Sequence, residues 1–84
     1  MFKFVLKPRA ARSLDKLPHF VREQILKKLQ FYSQQEKPLQ FAERLKDAEI
    51  GTGRFRVGDY RVVFDVEKNK IIILKIGHRK DIYR

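Results

Sequence analysis

The sequence contains no cysteine, only three prolines and four glycines, and half as many acidic as basic side chains. Without cysteine there is no disulfide framework, no thiolate nucleophile and no thiolate zinc site. The lack is also compatible with a cytoplasmic location. Long apolar runs are missing too. The longest unbroken aliphatic stretch is Ile71–Leu74, so no segment reads as a membrane span. The N-terminal Phe2-Lys3-Phe4-Val5-Leu6 is interrupted by lysine and too short for a signal peptide. No internal repeat or low-complexity segment is visible. No Asp/Glu/His spacing resembles a metal site and no Ser-His-Asp arrangement stands out, so neither metal nor cofactor is expected.

What is present is enough for one compact domain over residues 1–84. Hydrophobic residues make up 43% of the chain, and 20 Lys and Arg against 10 Asp and Glu give a net charge of +10. Like charge at that density destabilises a compact monomer, and a polyanionic partner relieves the repulsion.

Periodicity divides the chain into elements. Phe2, Phe4 and Leu6 alternate and predict a first strand. Pro8 suits the first turn of a helix, which Ala10, Ala11, Leu14 and Leu17 continue until Pro18 stops it. Val21, Ile25, Leu29 and Tyr32 then mark the buried stripe of a second helix beginning at or just after Pro18. Residues 33–52 are less regular, with Leu39, Phe41 and Leu45 suggesting a further helical turn or two. From Arg54 the period becomes two. Gly58-Asp59 and Lys68-Asn69 read as turns between strands, and Ile71–Leu74, apolar on both faces, predicts a central strand. The expected architecture is α+β, in the order β-α-α-β-β-β, with an N-terminal helical hairpin packed on a small antiparallel sheet.

Strand parity carries the functional reading. A two-residue Gly58-Asp59 loop sets Val57 opposite Tyr60, Arg56 opposite Arg61, Phe55 opposite Val62 and Arg54 opposite Val63. Phe55, Val57, Tyr60, Val62 and Phe64 then share the face that receives the helices. Arg54, Arg56 and Arg61 share the other, where directly opposed like charges call for a counter-anion. The planar fork of arginine matches phosphate. An even loop at Lys68-Asn69 would set Arg61 opposite Ile76 and bring His78 to the arginine face, and an odd loop would reverse this. Five of the nine arginines lie in the last 34 residues. Tyr60 and Tyr32 read as core, and His19 and Lys27-Lys28 as solvated surface.

Two segments resemble the RelE branch of the RelE/ParE toxin superfamily. The first is Gly53-Arg54-Phe55-Arg56-Val57-Gly58-Asp59-Tyr60-Arg61-Val62-Val63-Phe64. The second runs from Ile73 through His78-Arg79-Lys80-Asp81-Ile82-Tyr83-Arg84. The resemblance implies a RelE-like fold and the toxin of a type II toxin–antitoxin pair. Such a toxin enters the ribosomal A site and cuts mRNA, with the RNA's own 2′-hydroxyl as nucleophile and no metal. On that resemblance Arg61 holds the phosphate, Arg79 stabilises the transition state, Tyr83 stacks or moves a proton, and His78 acts in acid–base chemistry. Arg54, Arg56, Lys80 and Arg84 would bind RNA phosphates. The partners implied are the ribosome, mRNA and a cognate antitoxin with an acidic or amphipathic segment, but no membrane.

Where several relatives carry lysines on the first hairpin strand, this chain has Arg54 and Arg56. Arginine is a poor proton carrier, so the base would be His78 or Tyr83. Tyr83 stands next to the last residue of the sequence, where chains tend to fray. Two other readings stay open: a ParE-like inhibitor of DNA gyrase, and a non-catalytic RNA-binding protein of the same fold.

Overall fold

A computed structural model describes residues 2–83. The chain begins with strand β1 (Lys3–Leu6), after which Lys7 stays extended and Pro8 opens helix α1 (Pro8–Asp15). Proline fits there because the first N–H of a helix has no intrahelical partner. Pro18, again extended, breaks the chain before helix α2 (His19–Ser33). A short 3₁₀ turn (Pro38–Phe41) leads into strand β2 (Ala42–Arg44), followed by β3 (Gly53–Val57), β4 (Tyr60–Glu67) and β5 (Lys70–His78).

The sheet has the order β1-β5-β4-β3-β2. It differs from the sequence expectation in two ways. First, β1 pairs with β5 in parallel, Phe4 beside Ile71 and Leu6 beside Ile73, so the sheet is mixed. Parallel neighbours need a long connection, and both helices and the other three strands intervene between these two. Second, the segment expected to extend the helical region forms β2 from Ala42 to Arg44. It pairs antiparallel with β3, Ala42 to Phe55 and Glu43 to Arg54, giving that edge a partner. Three residues are too few to show a period, so the strand left no mark in the sequence pattern.

Both helices bury their apolar stripes on one face of the sheet. Ala10 and Leu14 of α1, and Val21, Ile25, Leu29 and Tyr32 of α2, form one core with Phe55, Val57, Val62, Phe64, Ile71, Ile73 and Ile76. Phe55 is its centre. Its ring stacks on Tyr32 at 4.4 Å, on Phe64 at 4.7 Å and on Phe4 at 6.0 Å. Among the described residues, no helix is long and apolar enough to cross a membrane.

Burial raises the pKa of the Tyr32 phenol above its ordinary value. A folded-state pKa above the unfolded value of about 10 means that the ring's stabilisation is complete below that pH and is lost as the pH climbs through the raised value. Alkaline unfolding followed by circular dichroism should therefore have a shallower pH dependence in Tyr32→Phe than in the unsubstituted protein.

Candidate nucleic-acid interface

The β3–β4 hairpin has the register that its loop length demands: Arg54 beside Val63, Phe55 beside Val62, Arg56 beside Arg61 and Val57 beside Tyr60. Gly58 takes φ 58°, the left-handed conformation that the first central residue of a II′ turn requires. With Phe55, Val57, Val62 and Phe64 turned to the helices, Arg54, Arg56 and Arg61 emerge on the opposite face of the sheet.

These arginines have different surroundings. Arg61 is only 5% exposed. Its Nη1 donates to the carbonyl oxygens of Gly58 and Tyr60, each at 2.9 Å. No carboxylate forms an ion pair with it among the described residues. Burial, and then the charges of Arg56, Arg54 and Arg79, hold its pKa below the usual guanidinium value. Arg54 lies in the opposite situation. Its Nη1 donates to the Tyr83 hydroxyl at 2.6 Å, and its Nη2 lies 3.4 Å from Glu43 Oε2. The Tyr83 hydrogen bond is the main reason that its pKa is raised. Its Nε is buried without a hydrogen-bond partner. Arg56 is largely exposed and approaches Glu43 Oε1 at 3.8 Å. Arg79 reaches the same face from the end of β5. Its backbone N–H donates to the Asp59 carbonyl at 2.8 Å, and its Nε lies 3.7 Å from the Asp59 carboxylate.

His78 departs from the sequence expectation. β4 and β5 begin in even register, Glu67 beside Lys70 and Phe64 beside Ile73, but Val63 then pairs with Lys75. Leu74 is the extra residue of a β-bulge, and one extra residue reverses the facing of everything after it. Arg61 therefore sits beside Gly77, and His78 beside Tyr60. The His78 ring meets Tyr60 edge-to-face at 5.4 Å, on the side of the sheet away from the arginines. Its Nδ1 accepts the Lys80 backbone N–H at 3.2 Å. Lys80 is exposed on the turn beyond β5, and Arg84 lies outside the described residues.

Tyr83 is held in place despite its position near the chain end. The His78 carbonyl accepts the N–H groups of Asp81 at 2.9 Å and Ile82 at 3.0 Å. This tight turn brings Ile82, only 5% exposed, over Gly77. A Cβ at Gly77 would stand 3.2 Å from Ile82 Cδ1, so the absent side chain is what lets the tail lie flat. The Tyr83 ring then rests on the Arg54 guanidinium, 5.6 Å from centroid to Cζ. Gly77→Val should lift the tail and accelerate amide hydrogen exchange at Asp81 and Ile82 by roughly tenfold or more, with little change in the β3–β4 amides. Unchanged exchange would show that Ile82 does not anchor the tail.

The site thus gathers Arg54, Arg56, Arg61, Arg79 and Tyr83, and adds Glu43, which the sequence reading missed. Glu43 joins the face only because β2 pairs with β3, and a three-residue strand has no readable parity. Buried cations are normally paired with carboxylates. Here one is held by neutral carbonyls amid three further cations, which is an arrangement suited to a bound anion.

The comparisons with known proteins agree with this fold. Residues 4–83 match the family described as the ParE toxin of the type II toxin–antitoxin system parDE. The chain is 34% identical over 77 residues to toxin RelG of Mycobacterium tuberculosis, covering 89% of this chain and 87% of that protein. Its fold is similar to the toxin–antitoxin complex RelBE2 of the same organism, with TM-score 0.77, 25% identity, and 93% and 98% of the two chains covered. It is similar in fold to the RelB–RelE complex of Methanococcus jannaschii as well, with TM-score 0.75, 22% identity and 94% of each chain covered.

Proposed function

We propose that this chain, which belongs to the RelE/ParE superfamily of type II toxin–antitoxin toxins and is RelE-like in structure, cuts mRNA in the ribosomal A site. The observation that carries this reading is Arg61, a buried arginine that forms no ion pair among the described residues and that feels the charges of Arg54, Arg56 and Arg79. Both of its hydrogen bonds use Nη1, which leaves Nη2 and Nε to grip two oxygens of one phosphate.

Cleavage by the RNA's own 2′-hydroxyl needs a base for that hydroxyl, stabilisation of the charge that builds on the phosphate, and an acid for the 5′-oxygen as its bond to phosphorus breaks. The 2′-oxygen forms a bond to the adjacent phosphorus as it loses its proton, and the 5′-oxygen leaves with a proton. The product ends are a 2′,3′-cyclic phosphate and a 5′-hydroxyl. Arg61 holds the scissile phosphate. Arg54, Arg56 and Arg79 stabilise the additional negative charge that develops on its oxygens in the transition state. Proton transfer falls to groups on the same face. Glu43, between Arg54 and Arg56, supplies a carboxylate that can accept the 2′-proton, and Tyr83 supplies a hydroxyl and a ring for stacking. The resemblance assigns proton transfer to His78 or Tyr83. On the Tyr60 side of the sheet, with Nδ1 engaged by Lys80, His78 is better placed to shape the tail that carries Tyr83.

The family supplies the partner. The similar structures from Mycobacterium tuberculosis and Methanococcus jannaschii are toxin–antitoxin complexes, and a cognate antitoxin bearing an acidic or amphipathic segment would neutralise this arginine face. A cytoplasmic location follows from the ribosome as target.

The family description names a ParE toxin, which favours a second reading, the poisoning of DNA gyrase. A purified translation system with toe-printing separates the two. A-site cuts that require ribosomes support the RelE-like reading. Intact mRNA together with gyrase-dependent DNA breaks supports the ParE-like one.

A further inference from the structure

A second group of cations lies on the far side of Tyr83. Lys7, Arg9 and Lys75 line a groove of about 460 Å³ whose wall includes Tyr83. Ile50 and Leu74 give it an apolar floor, and Glu49 is its one carboxylate. Among the described residues, none of the three cations forms an ion pair.

The groove is built by the fold. The Lys7 N–H donates to the Ile73 carbonyl at 2.9 Å, which ties the start of α1 to β5. The Leu74 bulge that turns His78 away pairs Lys75 with Val63 and so places it on the arginine face. The loop before β3 closes the other side. Leu45 N–H donates to the Thr52 carbonyl, and Thr52 is held in turn by the Phe64 carbonyl and the Asp65 carboxylate at 2.9 Å each. Tyr83 belongs to both sites: its hydroxyl meets Arg54, and the residue also lines the groove.

We propose that this groove is a subsite for the nucleotide flanking the scissile phosphate of single-stranded RNA. Its phosphate would lie against Lys7, Arg9 and Lys75, and its base would rest on Ile50, Leu74 and the Tyr83 ring. The occupant follows from chemistry and continuity. Three cations that form no ion pair among the described residues, set around apolar side chains, fit a group that is anionic at one end and flat and apolar-faced at the other. The groove's volume is within the range of roughly 300–1,000 Å³ usual for small-ligand sites. Because it shares Tyr83 with the Arg54–Arg61 cluster, one strand can occupy both. No base-specific hydrogen bonding is required, so the subsite would tolerate any sequence.

The inference rests on the RNA reading above, and its test keeps the two apart. The probe is a fluorescent single-stranded RNA made non-cleavable by one 2′-deoxy nucleotide, titrated with the whole protein over a range of salt concentrations. Arg9→Ala and Lys75→Ala should each weaken binding about three- to tenfold and lower the slope of log affinity against log salt by about 0.7, the loss of one phosphate contact on a single strand. Glu49→Gln should tighten binding, and Lys27→Ala, on α2, should change neither quantity by as much. Removing one flanking nucleotide from the probe should erase the effect of the groove variants but not that of Arg61→Met.

If Arg61→Met weakens binding and the groove variants do not, the subsite is wrong and the RNA reading stands. If Lys27→Ala matches the groove variants, the cations act only through long-range attraction and the subsite is again wrong. If Arg61→Met has no effect while the groove variants do, the scissile-phosphate assignment fails instead. Absence of any binding by the unsubstituted protein overturns the subsite, and mRNA cuts in the translation system then decide the reading of the activity separately. Thermal melts of each variant confirm that it is folded.

Discussion

Arg61→Met is expected to reduce ribosome-dependent mRNA cleavage by about a hundred- to a thousandfold, the scale seen when one preorganised donor to transition-state charge is lost. The same substitution should change stability by no more than about 1 kcal/mol. Arg61 loses two hydrogen bonds to the carbonyls of Gly58 and Tyr60. Against this, the charge of a residue that is only 5% exposed, repelled by Arg56, Arg54 and Arg79, is removed. Replacing a buried charge with an apolar side chain of similar volume is often neutral or favourable. Activity and stability therefore separate at this residue. Arg61→Lys should be intermediate, since an ammonium keeps the charge but not the fork.

A second readout needs no ribosome. An anion that fills the site relieves the repulsion, so inorganic sulfate or phosphate should raise the melting temperature of the unsubstituted protein more than that of Arg61→Met, following the usual dependence on ligand concentration. A folded Arg61→Met protein that cleaves normally would mean that the phosphate is held elsewhere.

Phe55→Ala should have the largest effect on stability. Phe55 is fully buried and touches Tyr32, Phe64 and Phe4, which belong to α2, β4 and β1. Truncating a buried phenylalanine to alanine costs about 3–5 kcal/mol. Domains of this kind have only about 5–15 kcal/mol in total. For a chain this short, each kcal/mol shifts the melting temperature by about 4–8 °C, so a fall of about 12–40 °C is expected. Growth inhibition should disappear with it, although no residue of the arginine face has changed. Phe20 provides the contrast. At 72% exposure, its replacement by alanine should alter stability by less than about 0.5 kcal/mol. A Phe55→Ala protein that melts within a few degrees of the original would show that the core closes around the gap.

The two substitutions also show which parts of the site are local. The arginine face was legible because its cause is local. A two-residue loop at Gly58-Asp59 determines the register of the strands beside it, and alternation then separates Phe55, Val57 and Val62 from Arg54, Arg56 and Arg61. The helices were legible for a similar reason, with Pro8 and Pro18 limiting them and the stripe from Val21 to Tyr32 marking the buried side of the second. The parallel pairing of β1 with β5 was not, because it joins segments about seventy residues apart.

By itself, then, the sequence determined the order of the elements other than β2, the core stripe and the three hairpin arginines on one face, since each depends on neighbours within a few residues. Tertiary structure decided the rest of the site. The Leu74 bulge moved His78 to the Tyr60 side and Lys75 to the arginine side, because one unpaired residue inverts strand parity and nothing in Ile71–Leu74 says which residue will be skipped. The β2–β3 pairing brought in Glu43. The packing of Ile82 over Gly77 turned a chain end into a fixed position for Tyr83. None of these follows from alternation or helical period alone; each is determined by how surfaces fit once the sheet has formed.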